Sequence, residues 1–285
     1  MYPKAMGRPA ASAASESVIV PDRASAAQVP ELPAQPDDIN HGTTTSTGTS
    51  GDSAMASSPS DQPEVRILDV GCGFGGLLFG LLPHTRPQDL ICGLEIRLKV
   101  SDYVRLRILA ERRRGMEGAD RLGVIRTNAM KYLPAFVRPG QLTKLFICFP
   151  DPHFKRKTHP RRIVSPSLAT DYAHLLAPGG RLYTVTDVGP LCGWMSQHLD
   201  GHPAFRRLDE EELAREQDPC VDVMRGSTEE SSKARREGRG AWVTVHERRG
   251  GHEAREVARE MAEARDGAGF WDADRGGYLG VAGGV

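Results

Sequence analysis

VRILDVGCGFGG, residues 65–76, is the stretch on which the fold is read. A short apolar run closed by glycine suits a buried strand. Gly71, Gly73 and Gly76 form a G-x-G-x-x-G array at its exit. Glycines are needed there because the backbone turns sharply and must approach a ligand closely. GLLFGLL (76–82) then starts a helix. Outward from this unit the pattern repeats. DLICGLEI (89–96) is predicted as a second strand, and KVSDYVRLRILAERRR (99–114) places Val100, Val104 and Ile108 on one helical face. RLGVIRTN (121–128), KLFICF (144–149) and RLYTVTD (181–187) give the third, fourth and fifth strands. SPSLATDYAHLLA (165–177) reads as a helix stopped by the following PGG, and LCGWMSQHLDGH (191–202) as another. AFRRL (204–208) and AWVTVHER (241–248) are expected to be a closing pair of strands. Such alternation predicts an α/β fold with a doubly wound, mainly parallel sheet and right-handed crossovers. Ligands of these sheets bind beyond the carboxyl ends of the strands.

Composition divides the 285 residues into three. Residues 1–62 are rich in Ala, Ser, Thr, Pro and Gly, and such a segment is expected to be disordered because it cannot bury enough apolar surface. Residues 63–249 hold the alternating unit. Residues 250–285 are a Gly/Ala-rich tail with one short helix expected in HEAREVAREMAEARD (252–266), whose Val257 and Met261 make a thin stripe. Lys+Arg and Asp+Glu balance at 37 each, so affinity for a polyanion would have to come from local patches. The five cysteines form no CxxC pair, which argues against a disulfide framework or a zinc site and fits a reducing compartment. No apolar run approaches the roughly 20 residues of a membrane span, and no metal is expected.

Glu95 ends the second predicted strand, where a carboxylate can accept hydrogen bonds from the ribose hydroxyls of an adenosine cofactor. A nicotinamide dinucleotide and S-adenosylmethionine both use this arrangement, so the glycines alone leave the two open. FPDPHFKRK, residues 149–157, lies at the exit of the fourth predicted strand. Pro150 and Pro152 stiffen the exit of the fourth strand and restrict the directions open to Asp151. Lys155, Arg156, Lys157, Arg161 and Arg162 follow within a few residues. Such a run is commonly a solvated face, but this one abuts the expected ligand edge. With Arg112–Arg114 it suggests contacts to the phosphates of a large polyanion.

DVGCGFGGLLFGLLP, GLEIRLKVSDYVRLRI, RTNAMKYLP, FPDPHFKRKTHPRRIVSP and LYTVTDV, in this order, resemble the eukaryotic tRNA (guanine-N7-)-methyltransferases, and GSTEESSKARREGRGAWVTVHERR is similar to that family's closing motif. The resemblance covers roughly residues 65–249. It implies the seven-stranded, Rossmann-like sheet of class I S-adenosylmethionine-dependent methyltransferases, and methylation of guanosine N7 in the tRNA variable loop. It further implies S-adenosylmethionine as cofactor, with Gly71 and Gly73 at its methionine part and Asp69 near its amino-acid end. Glu95, Ile96 and Arg97 would form the ribose wall, with Asn128 and Ala129 at the adenine and Cys148 in the pocket lining. Thr228, Glu229 and Glu230 would close over it. Asp151 takes the place of the family's catalytic aspartate. His153, Lys155, Arg156, Lys157, Arg161 and Arg162 would meet RNA. A WD-repeat partner subunit and residence in the nucleus complete the expectation. The family's basic R-x-R-x-H-x-N-P segment has no counterpart in residues 1–62. A non-catalytic tRNA-binding subunit of the same fold is therefore the alternative, with a nicotinamide-dependent oxidoreductase behind it.

Overall fold

The computed structural model describes residues 63–268, 270–272 and 277–279. The expected disorder of residues 1–62 lies outside them. In chain order come β1 (Glu64–Val70), α1 (Gly76–Leu81), β2 (Asp89–Glu95), α2 (Leu98–Arg113), β3 (Leu122–Arg126), α3 (Ala129–Phe136) and β4 (Leu142–Cys148). α4 (Pro166–Leu175), β5 (Leu176–Thr186), α5 (Gly189–Asp200) and β6 (Phe205–Arg207) follow. Then come α6 (Glu210–Glu216), α7 (Pro219–Gly226), α8 (Glu229–Arg236), β7 (Trp242–Arg248) and α9 (Gly251–Ala268). The first seven strands form one sheet in the order β3-β2-β1-β4-β5-β7-β6. Its first five strands are parallel, while β7 runs antiparallel between β5 and β6. This is the doubly wound, mainly parallel sheet that the alternation predicts, with the closing strand pair where it is expected.

Both faces of the sheet are dry because successive side chains alternate. Leu145 and Ile147 join one core cluster with Leu133 of α3, Leu168 of α4 and Leu191 of α5. Phe146, between them, joins the opposite cluster with Leu78 of α1, Val104 of α2 and Met224 of α7. Phe146 stacks on Tyr183 with centroids 4.6 Å apart. Where the parallel strands begin, Asp218 gathers an ionic network. Tyr183 Oη donates to its Oδ2 at 2.5 Å, Arg181 reaches the same oxygen at 3.3 Å, and Arg181 also pairs with Glu216 and Glu247.

Two expectations need correction. The helix over 165–177 ends at Leu175, and Leu176–Gly180 already belong to β5. Leu176 pairs with Leu142 and Arg181 with Lys144, so four residues of β5 (177–180) oppose one of β4 (Thr143) and the PGG turn is taken up as a bulge. At its start the same helix follows the sequence, since Ser165 Oγ accepts the amide of Leu168 and Pro166 takes the first turn. The tail helix is longer than expected, at 18 residues, and along the part whose side chains are described it is exposed except at the half-buried Ala254 and Val257. A two-stranded unit, β8 (Phe270–Asp272) with β9 (Gly277–Leu279), was not legible in the Gly/Ala-rich tail. Among the described residues no helix is long and apolar enough to cross a membrane.

Candidate active site

Strand order reverses between β1 and β4, and a cavity of ≈ 550 Å³ opens at their carboxyl ends. Its position is the switch point at which doubly wound sheets take ligands, and its size is ordinary for a small-molecule site. Gly71, Gly73, Glu95, Ile96, Arg97, Asn128, Ala129, Cys148, Thr228, Glu229 and Glu230 all line it, together with Asp69, Asp151, His153 and Arg161.

The glycine array does two different jobs. Gly71 and Gly73 have φ of +80° and +53°, a region L side chains avoid, and a Cβ on either would meet nothing within 4 Å. They are required by the turn, and they leave open space above it. The amides of Gly71 and Cys72 both donate to Leu94 O, at 2.8 and 3.0 Å, which ties the loop to the end of β2. Gly76 is required by crowding instead, because a Cβ there would lie 2.1 Å from the Ser227 carbonyl oxygen. Gly76→Ala is expected to displace the turn before α8 and to destabilise the protein by about 1–3 kcal/mol. An unchanged denaturation midpoint would show that this turn yields freely.

Two buried acids at the cavity are in opposite states. Asp69, near the end of the central strand, is 1% exposed, and its Oδ1 finds no hydrogen-bond partner among the described residues. Burial first, then the charges of Glu95 and Glu229, push its carboxyl up to about 7. Glu95 is also buried, yet the outcome is opposite. Its Oε1 accepts the Arg97 amide at 2.8 Å and Arg97 Nε at 3.1 Å, and its Oε2 accepts the other arm of the guanidinium at 3.1 Å. Burial alone would raise the Glu95 carboxyl, but these bonds and the Gly73 amide hold it below its ordinary value. The carboxylate offered on sequence grounds to a pair of ribose hydroxyls is thus already oriented and charged by its neighbour. Burial, then Asp69, raises the Cys148 thiol well above the usual range, so it contributes a neutral wall.

Thr228 works locally as the N-cap of α8, accepting the Ser231 amide at 2.9 Å. Glu229 and Glu230 consequently fall in the first helical turn, where negative charge is favoured. Arg107, which the sequence reading passed over inside the α2 pattern, joins the parts. It donates to Phe74 O at 3.1 Å, lies 4.0 Å from Glu229 and covers the Phe79 ring.

At the exit of β4 the backbone takes two left-handed steps, at Phe149 (φ 47°) and His153 (φ 45°). Each costs roughly 1–2 kcal/mol for a non-glycine residue, so neighbouring contacts must hold them. One contact is the Asp151 carboxylate, whose Oδ1 accepts the His153 amide at 2.9 Å. The side chain is 72% exposed at the cavity mouth. The cations beyond divide in a way the sequence reading did not foresee. Lys155 and Lys157 are exposed outside the cavity lining, Arg156 is exposed as well, and Arg161 reaches the cavity. Arg162, grouped with them on sequence, is 7% exposed. The 3₁₀ turn Arg156–Arg161 ends between the two arginines and sends them opposite ways.

The family described as putative methyltransferase matches residues 63–244, so the sheet and the cavity at its switch point form a methyltransferase domain. The chain is 51% identical over 175 residues to a tRNA (guanine-N(7)-)-methyltransferase of Podospora anserina, covering 61% of each chain. It is 49% identical over 193 residues to that of Lodderomyces elongisporus, covering 67% of this chain and 62% of the other. It is 47% identical over 187 residues to that of Caenorhabditis elegans, covering 65% of this chain and 72% of the other. The chain belongs to the tRNA (guanine-N(7)-)-methyltransferase family. It spans about three fifths of the length of the first two relatives.

Proposed function

We propose that this chain transfers a methyl group from S-adenosylmethionine to N7 of a guanine in tRNA. The observation that carries the reading is an exposed acid, Asp151, at the mouth of a cavity whose floor holds a carboxylate oxygen of Asp69 that finds no partner among the described residues. A buried acid without a donor suits a cationic ligand. S-adenosylmethionine brings an ammonium group and a sulfonium-activated methyl group. The open space over Gly71 and Gly73 would receive its methionine part, near Asp69. Glu95, held charged by Arg97, and Ile96 would flank the ribose, and Asn128 and Ala129 the adenine. Cys148 would wall the pocket, and Thr228, Glu229 and Glu230 would close it.

Guanine N7 carries an in-plane lone pair and no proton, so attack on a methyl group needs no general base. The chain's work is then positioning and electrostatics. Asp151 would accept the guanine N–H donors and offset the positive charge that develops on the ring. Arg161, at the cavity, and Lys155 and Lys157 outside it would hold phosphates. Replacing Lys155 and Lys157 with alanine is expected to raise the tRNA KM and to flatten the salt dependence of binding, by roughly 0.7–0.9 in log–log slope per lost phosphate contact. Unchanged RNA binding in a salt titration would return these lysines to the solvated surface. From the family resemblance we also infer a WD-repeat partner subunit and a nuclear complex.

The deciding experiment is transfer of labelled methyl groups to tRNA, with and without a WD-repeat partner, followed by mapping of the modified base. Label on guanine N7 is the expected result. Cofactor binding without transfer under either condition would overturn the enzymatic reading in favour of an RNA-binding subunit.

A further inference from the structure

Asp151 aims at the cavity from a strained loop, and something must hold that loop from behind. Arg162 is placed to do so. Its Nε donates to the carbonyl of Pro152 at 2.9 Å, one residue from Asp151. Its guanidinium lies 4.6 Å above the indole of Trp194 on α5. That indole is fixed in turn, since Nε1 donates to Val164 O at 2.8 Å. Tyr172 Oη donates to Ile163 O at 2.6 Å, so consecutive residues 162, 163 and 164 are all anchored to helices. His198 meets the indole edge-on at 4.3 Å. Burial, then the Arg162 charge, keeps its imidazole below the ordinary range.

We propose that Arg162, seated on Trp194, is a positioning residue for methyl transfer that fixes the Pro152 carbonyl and thereby the direction of the Asp151 carboxylate. The inference rests on the role given to Asp151 above. A buried guanidinium in place of an RNA-facing one explains why the basic run contains an arginine that solvent does not reach. Lysine could not replace it, because an ammonium lacks both the planar face for the indole and the laterally directed Nε–H. Pro152 has a fixed φ and no amide of its own, so restraint at its carbonyl passes to Asp151 with little slack.

The test compares wild type, Arg162→Lys, Trp194→Phe, Asp151→Asn and the Asp151→Asn/Arg162→Lys pair. Each is measured for kcat, tRNA KM, cofactor affinity and exchange of the His153 amide, which Asp151 caps. Arg162→Lys is expected to lower kcat by about 10²-fold, the scale of a misplacement of about 1 Å, while KM and cofactor affinity stay within about twofold. In the Asp151→Asn background the same change should cost less than about threefold, since the group it positions is gone. His153 exchange should quicken in both single variants at the seat. A raised KM with kcat intact, or losses that add fully to those of Asp151→Asn, would place Arg162 on RNA and overturn the proposal. Unaltered His153 exchange would overturn it as well. Should Arg162→Lys not fold, Trp194→Phe carries the same comparison. If wild type transfers no methyl group, the enzymatic reading falls, while His153 exchange still decides whether the seat holds the loop.

Discussion

Asp151→Asn is expected to lower kcat for methyl transfer by about 10²–10³-fold, the loss seen when one preorganised electrostatic group is removed, with cofactor affinity nearly unchanged. The substitution keeps an oxygen that can accept the His153 amide, so the turn at the cavity mouth should survive. Only the charge is lost. In the free protein that charge is weak in effect, because the side chain is 72% exposed and water screens it. Its influence would grow when bound RNA excludes water and positive charge builds on the base. Single-turnover transfer, set beside calorimetric cofactor titration, separates the two effects. Equal loss of cofactor affinity would move Asp151 from the reacting base to the cofactor wall.

The second large effect concerns Asp69. Its carboxyl is raised to about 7 from an ordinary 3.8, so the folded protein holds a proton that the unfolded chain releases. This group therefore lowers folding stability as pH climbs from near 4, and its effect levels off above about 7. A cationic ligand beside it reverses the balance by favouring the ionised form. Cofactor affinity should accordingly be about tenfold weaker at pH 6 than at pH 8, with proton release on binding at the lower pH. Asp69→Asn should abolish that dependence and cost roughly 10- to 10²-fold in affinity at pH 8, the worth of one charge-assisted contact. Calorimetry in buffers of different ionisation enthalpy reads both. A flat pH profile in the wild type would remove Asp69 from the ligand's charged end.

The strands and the glycine turn were legible because both are local. Apolar runs such as KLFICF can only be buried, and Gly71 and Gly73 announce φ values that other residues resist. The residues grouped around the cofactor come together at one cavity for the same reason, since strand ends in this topology converge. What escaped was non-local. Nothing in KTHPRR distinguishes Arg161 from Arg162; the difference is made by Trp194, thirty-two positions later on another helix. Arg107 lies between Val104 and Ile108 of the apolar stripe, and its link to Phe74 and Glu229 is made through space, not along the chain. The end of α4 was misplaced because PGG ordinarily stops a helix, whereas here the pairing of Leu176 with Leu142 ends it sooner. α6 and α8 had signals that were passed over, in capping boxes at Asp209–Glu212 and Thr228–Ser231.

The ionic network around Asp218 sits where the parallel strands begin, and the cavity opens where they end. Substitutions at sites that share no partners tend to add independently. Lineages can thus retune thermal tolerance at Arg181, Glu216 or Glu247 without renegotiating the geometry around Asp151. A chain laid out in this way is a forgiving parent for directed evolution, with heat resistance and substrate preference adjustable as separate traits.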